Sequence, residues 1–458
     1  MNLKNGFLGL STCVFMVGIG DQPLLAQETE TKLDDQFDMP DVRVLQKQID
    51  DLKARVDQLN NGTVFVGGNP IKDTINNSPL LTWNPGPILT SADKKFSFRM
   101  SGRITYDYAS VSFKDENGIT RPNEKINGVG LRHLETGFRG KMFGDFNYRV
   151  AVKFVDNEVD VKLAYVDYNF GNTQIVLGQT RTYNTLDKLT PPHNHAFAER
   201  ASFINSLRIN PRVGVGISHH GDNWSVSGGY FFENANSTNN SIDDNNMASA
   251  RITYSPKFEN GIGLHFGGST FYRNENGNAF DHKYSTRPFA KQGDLKPLSS
   301  QIFNITSETF YNGEFAATYK SFGFQSEYGV IKNKLGNGEI LTAHSPSYEG
   351  GYVEVSFFPT GAQRTIDGKD GRYDKVKIDN PVGAGGMGEV RLAARYDVAD
   401  FTHETFGRKQ KSIIFGADWY LNAVMKIQGN YAHSIIKNSI NIKTDVVDTF
   451  NMRFMFNF

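Results

Sequence analysis

The chain has almost no cysteine: one residue, Cys13, in 458. A single thiol builds neither a disulfide scaffold nor a multi-cysteine metal site. Net charge is absent as well, with 49 Lys and Arg against 49 Asp and Glu. That balance argues against a nucleic-acid partner, which requires a basic excess. No apolar run is long enough for a membrane helix, and the mean hydropathy is −0.44, so a helical membrane bundle is excluded. Tryptophan is scarce, at 3, whereas glycine (45), phenylalanine (35) and tyrosine (19) are abundant. A hydrophilic chain rich in glycine and aromatics reads as many short strands joined by polar loops.

Residues 1–26 read as an export signal. Lys4 supplies the positive start, Phe7 to Ile19 a short apolar stretch, and Leu24-Leu25-Ala26 resembles a small-residue cleavage site. The stretch is too short to span a bilayer. Cys13 lies inside it in a poor match to a lipid-attachment box. Removing the signal therefore leaves a chain without cysteine, which suits an oxidising compartment.

Val42, Leu45, Ile49, Leu52, Val56 and Leu59 alternate spacings of three and four, an a/d seam of about three heptads. Pro40-Asp41 starts this helix and Asn60-Asn61-Gly62 stops it. Its other faces are polar (Gln46, Lys47, Asp50, Asp51, Lys53, Arg55). That favours a short coiled coil over 40–60 rather than a helix lying on its own domain. So short a seam needs a larger oligomer to hold it. Residues 61–93, rich in Gly, Pro, Asn and Thr, read as a linker.

From Phe96 a period of two takes over. Phe96, Phe98, Met100, Ile104, Tyr106 and Tyr108 share one face; Ser97, Arg99, Ser101, Arg103, Thr105 and Asp107 share the other. The alternation recurs at 146–154, 389–396, 413–421 and 450–458, where the chain ends on Phe458. A soluble sandwich also alternates, but the polar faces are heavily charged and no helices or apolar runs cover a second layer. Amphipathic segments of about ten residues are the pattern of a membrane barrel. In lipid only a closed barrel pairs every backbone group of a set of strands. Residues 94–458 accommodate about 16 strands, if each takes roughly 20–25 residues with its connection. Asn/Gly/Asp-rich stretches at 233–247, 273–300 and 332–349 read as external loops.

Motifs of catalysis lack their context. Gly383-Ala384-Gly385-Gly386-Met387-Gly388-Glu389-Val390 matches a kinase phosphate loop, but none of the downstream kinase motifs follows. No helix pattern follows for a dinucleotide fold either, so it reads as a Gly-rich turn. His193-Asn194-His195 has no Cys or carboxylate cluster to complete a metal shell and reads as a solvated loop. His433 and Ser434, adjacent on a strand, point to opposite faces and form no dyad.

The informative constellation is cationic. Arg99, Arg103, Arg149, Lys153, Arg391 and Arg395 fall on polar strand faces. The stretch 181–208 adds Arg181, Lys188, His193, His195, Arg200 and Arg208 against two acids, Asp187 and Glu199. Cations around a narrow, low-dielectric channel attract anions. Acids on the same faces (Asp107, Glu354, Asp418) would instead leave a weakly selective pore.

The segment Lys94-Lys95-Phe96-Ser97-Phe98-Arg99-Met100-Ser101-Gly102-Arg103 resembles the first strand of the phosphate-selective porins of the O/P type. The resemblance continues at Gly140-Lys141-Met142-Phe143-Gly144-Asp145-Phe146, Val176-Leu177-Gly178-Gln179, Ala198-Glu199-Arg200, Gly351-Tyr352-Val353-Glu354-Val355, Ala394-Arg395-Tyr396-Asp397, Asp418-Trp419-Tyr420-Leu421-Asn422 and Met452-Arg453-Phe454. It implies a 16-stranded outer-membrane barrel, a homotrimer, a third loop folded into the lumen, and a ladder of Arg and Lys that guides anions. Motif by motif, Lys94, Arg99, Arg103 and Arg132 match cationic positions along the lumen. Lys188 matches a constriction lysine that contacts phosphate, and Arg287, before Pro288, matches one of a set of arginines on an infolded loop. His133 stands where a second consecutive Arg would be, Lys162 stands near the place of an Asp, and Arg287 lacks its neighbouring arginines. These departures favour general small-anion diffusion over a strict phosphate site.

The expectation is thus an all-β, transmembrane antiparallel barrel (94–458) with a short N-terminal coiled-coil helix. It would act as a passive diffusion channel for small anions of the phosphate class, embedded in outer-membrane lipid as a homotrimer, with both termini and the coiled coil periplasmic. Catalytic residues, cofactors, metals and nucleic acid have no place in this reading. The alternatives are a weakly selective general porin, or a barrel-anchored structural tether acting through the coiled coil.

Overall fold

The computed structural model describes residues 42–60, 64–66, 69–71, 79–115, 126–155, 158–236, 246–274, 280–293, 295–336, 344–440 and 444–458. The export signal and Cys13 lie outside the described residues. The chain divides into two units, Met1–Ile75 and Asn76–Phe458. The first contains helix α1 (Val42–Asn60), bounded by the start and stop residues seen in the sequence. Ile49 and Leu52 of its seam are exposed.

In the second unit sixteen long strands close into an antiparallel barrel. They are β1 (Ser97–Lys114), β2 (Ile126–Met142), β3 (Phe146–Val155), β4 (Glu158–Phe170), β5 (Thr173–Thr180), β6 (Arg212–His220), β7 (Trp224–Phe231) and β8 (Asn246–Tyr254), then β9 (Ile262–Asn274), β10 (Phe303–Tyr319), β11 (Phe322–Leu335), β12 (Ser347–Phe357), β13 (Glu389–Asp400), β14 (Arg408–Tyr420), β15 (Met425–Asn438) and β16 (Thr444–Asn457). Each pairs with its sequence neighbour, and β16 pairs with β1 from Val446↔Lys114 to Asn457↔Arg103. A short hairpin, Leu80–Trp83 and Pro87–Thr90, pairs with the start of β1. The end of the 61–93 stretch is therefore hydrogen-bonded to the barrel.

The burial is inside out. On β1 Phe98, Met100, Tyr106 and Tyr108 are exposed, while Thr105 and Asp107 are fully buried. The same holds on β13, where Leu392 and Tyr396 are exposed and Arg391 and Arg395 buried. Lipid accepts the apolar face without penalty, whereas the charged face must pair or meet water in the lumen. The seam closes tightly. The Phe458 N–H donates to the Gly102 carbonyl and the Gly102 N–H to Phe458 O, at 3.0 and 2.9 Å. A Cβ at Gly102 would meet the Phe458 ring at 2.4 Å, so the last aromatic and this glycine fit only together.

Strand alternation puts the even-to-odd connections at one end, where most are tight turns such as 171–172 and 320–321. Long connections lie at the other end. Three segments fold inward. Residues 181–211 between β5 and β6, carrying α2 (Leu186–Leu189) and α3 (Ser202–Ser206), enter from the long-loop end. Residues 283–302 enter from the same end. Residues 358–388 enter from the tight-turn end, and their Gly-rich part is a turn with positive φ at Gly383, Gly385 and Gly388.

The lumen is not uniformly polar, which corrects the expectation from alternation alone. Phe203 and Ile204 of α3, with Leu207 and Ile209, pack into an apolar cluster with Phe231, Phe271, Phe310, Tyr348 and Phe401. Phe203 lies 6.4 Å from the Phe310 ring and 5.9 Å from that of Phe401. It fits because the wall strand carries Gly350, where a Cβ would stand 2.6 Å from the Phe203 Cβ. The cluster packs against the barrel wall from β7 to β13.

Candidate ion pathway

Two rows of lumen-facing side chains treat charge in opposite ways. Around the closing seam, the register runs Asp107, Arg453, Gln428, Asp418, Arg391 across five neighbouring strands. Each charge meets its opposite. Arg453 is bidentate on Asp107, at 2.6 Å for both bonds, and Arg391 Nε donates to Asp418 at 2.7 Å. Nearby, Arg395 donates to Glu354 at 2.7 Å and Arg251 Nε to Glu314 at 3.0 Å. All are buried. Buried charges persist in this form because removing one partner leaves the other unpaired.

The second row, on β1, β2 and β3, is Arg99 opposite Arg139 opposite Arg149. Like charges directly opposite each other destabilise a sheet. None of the three has a carboxylate oxygen within 4.0 Å among the described residues. Together with Lys141, Tyr165 and Asp167 they line a cavity of about 430 Å³ toward the tight-turn end. The Asp167 carboxylate is occupied by Asn147 at 2.7 Å and Gln174 at 3.0 Å.

The infolded loop 181–211 narrows the lumen between these rows. Its α2 end is gripped by carboxylates: the Leu186 N–H donates to Glu314 (2.8 Å) and Glu327 (3.0 Å), and the Asp187 N–H to Glu327 (2.6 Å). Its far side is held by the seam. Lys426 and Arg391 donate to the carbonyls of His195 and Asn194, at 2.9 and 3.0 Å, and the Ser202 N–H to Asp397 at 2.9 Å. His195 and Asn194 are buried, not solvated as their sequence setting suggested. The His195 ring lies 3.2 Å from Asp187 and 3.0 Å from the Thr190 carbonyl. Burial raises the Asp187 carboxyl, but the His195 hydrogen bond and the charges of His195, Arg395 and Arg200 outweigh it and hold it well below the usual carboxylate range.

The six cations expected from the sequence occupy separate places on β1, on β2, on the turn before β1 and on the two infolded segments. Arg287, half-buried on segment 283–302, donates to the Gly293 carbonyl at 3.2 Å and shares a cavity of about 180 Å³ with Arg132, Arg208, Lys291 and Lys296. Arg132 is bidentate on Glu199, at 3.1 and 3.2 Å. Burial raises the Glu199 carboxyl, but the charges and hydrogen bonds of Arg132 and Arg453 bring it down to about 2. Arg103 stands 3.8 Å from Glu135, which also takes Lys162 at 2.5 Å. Lys188 is half-buried on α2, with no carboxylate within 4.0 Å among the described residues. Enclosure pushes its ammonium well below the ordinary lysine range, and Arg200 and Arg181 push the same way against the pull of Asp187. Arg99 lies near the tight-turn end, and Lys94 occupies the exposed turn before β1 at φ +58°. The structure therefore brings Arg132 to Arg287 and Arg103 to Lys162, and leaves Lys94 apart at the mouth.

Arg139 was not singled out from the sequence, although Phe138 beside it faces lipid and so turns Arg139 inward. Lys369 and Arg372 of the inner hairpin carry no periodic signal at all.

The family described as phosphate-selective porin O and P matches residues 98–458. The chain belongs to this family. This porin is 26% identical over 361 residues to an uncharacterized protein of Caulobacter vibrioides, across 77% of this chain and 71% of that protein. It is 23% identical over 402 residues to Porin O of Pseudomonas aeruginosa, across 79% and 86%. Among solved structures, an anion-selective porin from Comamonas acidovorans aligns over 79% of this chain and 100% of its own, at 14% identity and a TM-score of 0.45. The trimer form of OmpT of Vibrio cholerae aligns over 79% and 99%, at 12% identity and 0.49. Family and barrel place this porin among outer-membrane channels rather than enzymes.

Proposed function

We infer that this porin is a passive channel preferring small anions. The observation that carries the reading is the uneven pairing of charge in a chain of zero net charge. Acids of the seam are consumed by seam cations, whereas Arg99, Arg139, Arg149 and Lys188 face the path without a carboxylate within 4.0 Å among the described residues. Selectivity follows the local field in the narrow part, not the total charge. Arg132 and Arg103, neutralised in part by Glu199 and Glu135, support general small-anion diffusion over a strict phosphate site. In this reading Lys188, Arg103 and Arg132 replace part of an anion's hydration shell at the constriction, with Arg287, Arg99 and Lys94 on the approaches.

The resemblance supports a homotrimer with the coiled coil and both chain ends in the periplasm; the heptad seam, with Val42, Ile49 and Val56 at a and Leu at d, by itself favours two strands, and in this reading the barrel sets the number. The tight-turn end would then face the periplasm. The test is the reversal potential of the reconstituted porin in a KCl gradient at low ionic strength. A chloride-preferring sign is expected; a potassium-preferring sign would overturn the reading. A closed, non-conducting barrel would instead favour the tether.

A further inference from the structure

Beyond the constriction, on the tight-turn side, lies a chamber whose lining differs from the rest of the path. Its volume is about 360 Å³, within the range of sites for small organic ligands and larger than a lone phosphate needs. One wall is a continuous row set by strand register: Asn169 beside Gln174, Gln174 beside Ser218, Ser218 beside Ser227, Ser227 beside Arg251. Four of these five side chains are uncharged hydroxyls and amides. The Ser218 hydroxyl makes no hydrogen bond among the described residues.

Arg149 of β3 and Arg181 of the infolded loop form one charged end of the chamber; Lys369, Asp370 and Arg372 of the inner hairpin also line it, with Arg372 paired to Asp370 and Arg251 paired to Glu314. Arg149 has no carboxylate within 4.0 Å among the described residues, and neither does Arg181. Arg181 keeps one Nη on the Leu189 carbonyl at 3.2 Å, which leaves its other N–H groups for a ligand. Tyr165 and Tyr183 add ring faces.

The floor is the hairpin Ile366–Asp367 and Arg372–Tyr373, which enters from the tight-turn end. It is anchored on three sides. Arg251 donates to the Asp370 carbonyl at 3.2 Å and to that of Gly371 at 2.5 Å. The Asn194 amide donates to the Tyr373 carbonyl at 3.2 Å. The Arg364 guanidinium stacks 3.3 Å from the Tyr373 ring centroid. The chamber is thus a preformed site rather than a gap between mobile loops.

We propose that this chamber is a binding site for a hydroxylated organic phosphomonoester, of the sugar-phosphate class. Arg149 and Arg181 take the phosphate, since guanidinium groups match its geometry. The Asn169–Gln174–Ser218–Ser227 row takes the hydroxyls through the Ser218 hydroxyl, the Asn169 and Gln174 amide oxygens and the acceptor side of Ser227, since the two amide nitrogens each keep a bond to Asp167, at 3.3 and 3.0 Å, and Ser227 donates to the Arg251 carbonyl at 3.4 Å. An inorganic anion uses only the first half of the site. A neutral sugar uses only the second, which in water has little net value per hydrogen bond.

The proposal rests on the anion-preferring reading above, so the test separates the two. The reconstituted full-length porin carries a KCl current, and glucose 6-phosphate, inorganic phosphate and glucose are added in turn. Glucose 6-phosphate is expected to block at concentrations about tenfold lower than inorganic phosphate, and glucose not at all. The pair Ser218→Ala and Ser227→Ala, which empties half of the hydroxyl row without touching a charge, is expected to weaken the glucose 6-phosphate block about 5- to 10-fold, two hydrogen bonds' worth. It should leave the phosphate block and the reversal potential unchanged. Equal block by glucose 6-phosphate and phosphate, or a variant that weakens both alike, overturns the chamber assignment while a chloride-preferring reversal potential keeps the channel reading. Should the variant fail to fold, the ratio of the two blocks in the unaltered porin still decides.

Discussion

Replacing Arg139 by glutamine should make this porin less selective and more stable at once. Arg139 sits between Arg99 and Arg149 in register. Each like-charge cross-strand pair costs about 0.2–1 kcal/mol. Arg139 is exposed to the lumen, so water screening favours the low end, and relieving two pairs returns about 0.5 kcal/mol. For a passing anion the sign reverses. A unit charge at 4 Å is worth about 1 kcal/mol in water, which is a roughly fivefold change in local anion concentration. Potassium gains as chloride loses, so the chloride-to-potassium permeability ratio, from reversal potentials near 0.1 M salt, should fall by at least about fivefold. The effect should shrink toward 1 M, where the screening length is about 3 Å. Urea unfolding of the barrel in lipid should show a midpoint equal to or above that of the unaltered chain. A lower midpoint with unchanged selectivity would mean that the arginine row holds the wall together rather than guiding ions.

Three further outcomes follow from the loop and its anchors. Glu327→Gln turns one carboxylate oxygen, which now accepts two hydrogen bonds, into an N–H facing donors; loosening of α2 by about 2 kcal/mol should give larger, noisier single-channel currents, and steady unaltered currents would refute the grip. Raising pH toward the ordinary lysine value of 10.5 should weaken anion preference before that value is reached, because Lys188 gives up its proton early; since the unfolded chain keeps that proton longer, stability rises with pH up to that value. Lys188→Met should flatten this part of the profile, and a variant with the same pH response would show that another group titrates. Glu199 works the other way: its stabilisation is complete above its ordinary value of 4.5 and is lost as pH falls toward about 2, so an acid titration that frees the loop already near pH 6 would contradict the Arg132–Glu199–Arg453 arrangement.

The strands were legible because lipid and lumen impose opposite demands on successive side chains. Phe98 and Arg99, or Leu392 and Arg391, declare their faces without any knowledge of their neighbours. The inner loops were not legible in this way. His195 looked solvated because nothing local shows that Lys426 and Arg391, more than 190 residues away, donate to its carbonyl. Phe203 and Phe401 lie outside the period-two stretches, yet they meet inside the barrel, where Gly350 leaves room on a distant strand.

By itself the sequence determined the barrel, its inward cations and the absence of covalent staples, since period-two alternation and composition are local properties. Tertiary structure alone decided which cations keep their charge for an ion. Arg391 and Arg149 look alike on their strands, but register sets Asp418 opposite the first and Arg139 opposite the second. Pairing depends on strand register and, at the seam, on closure, which sets Arg453 beside Asp107, 346 positions away; a one-dimensional pattern encodes neither.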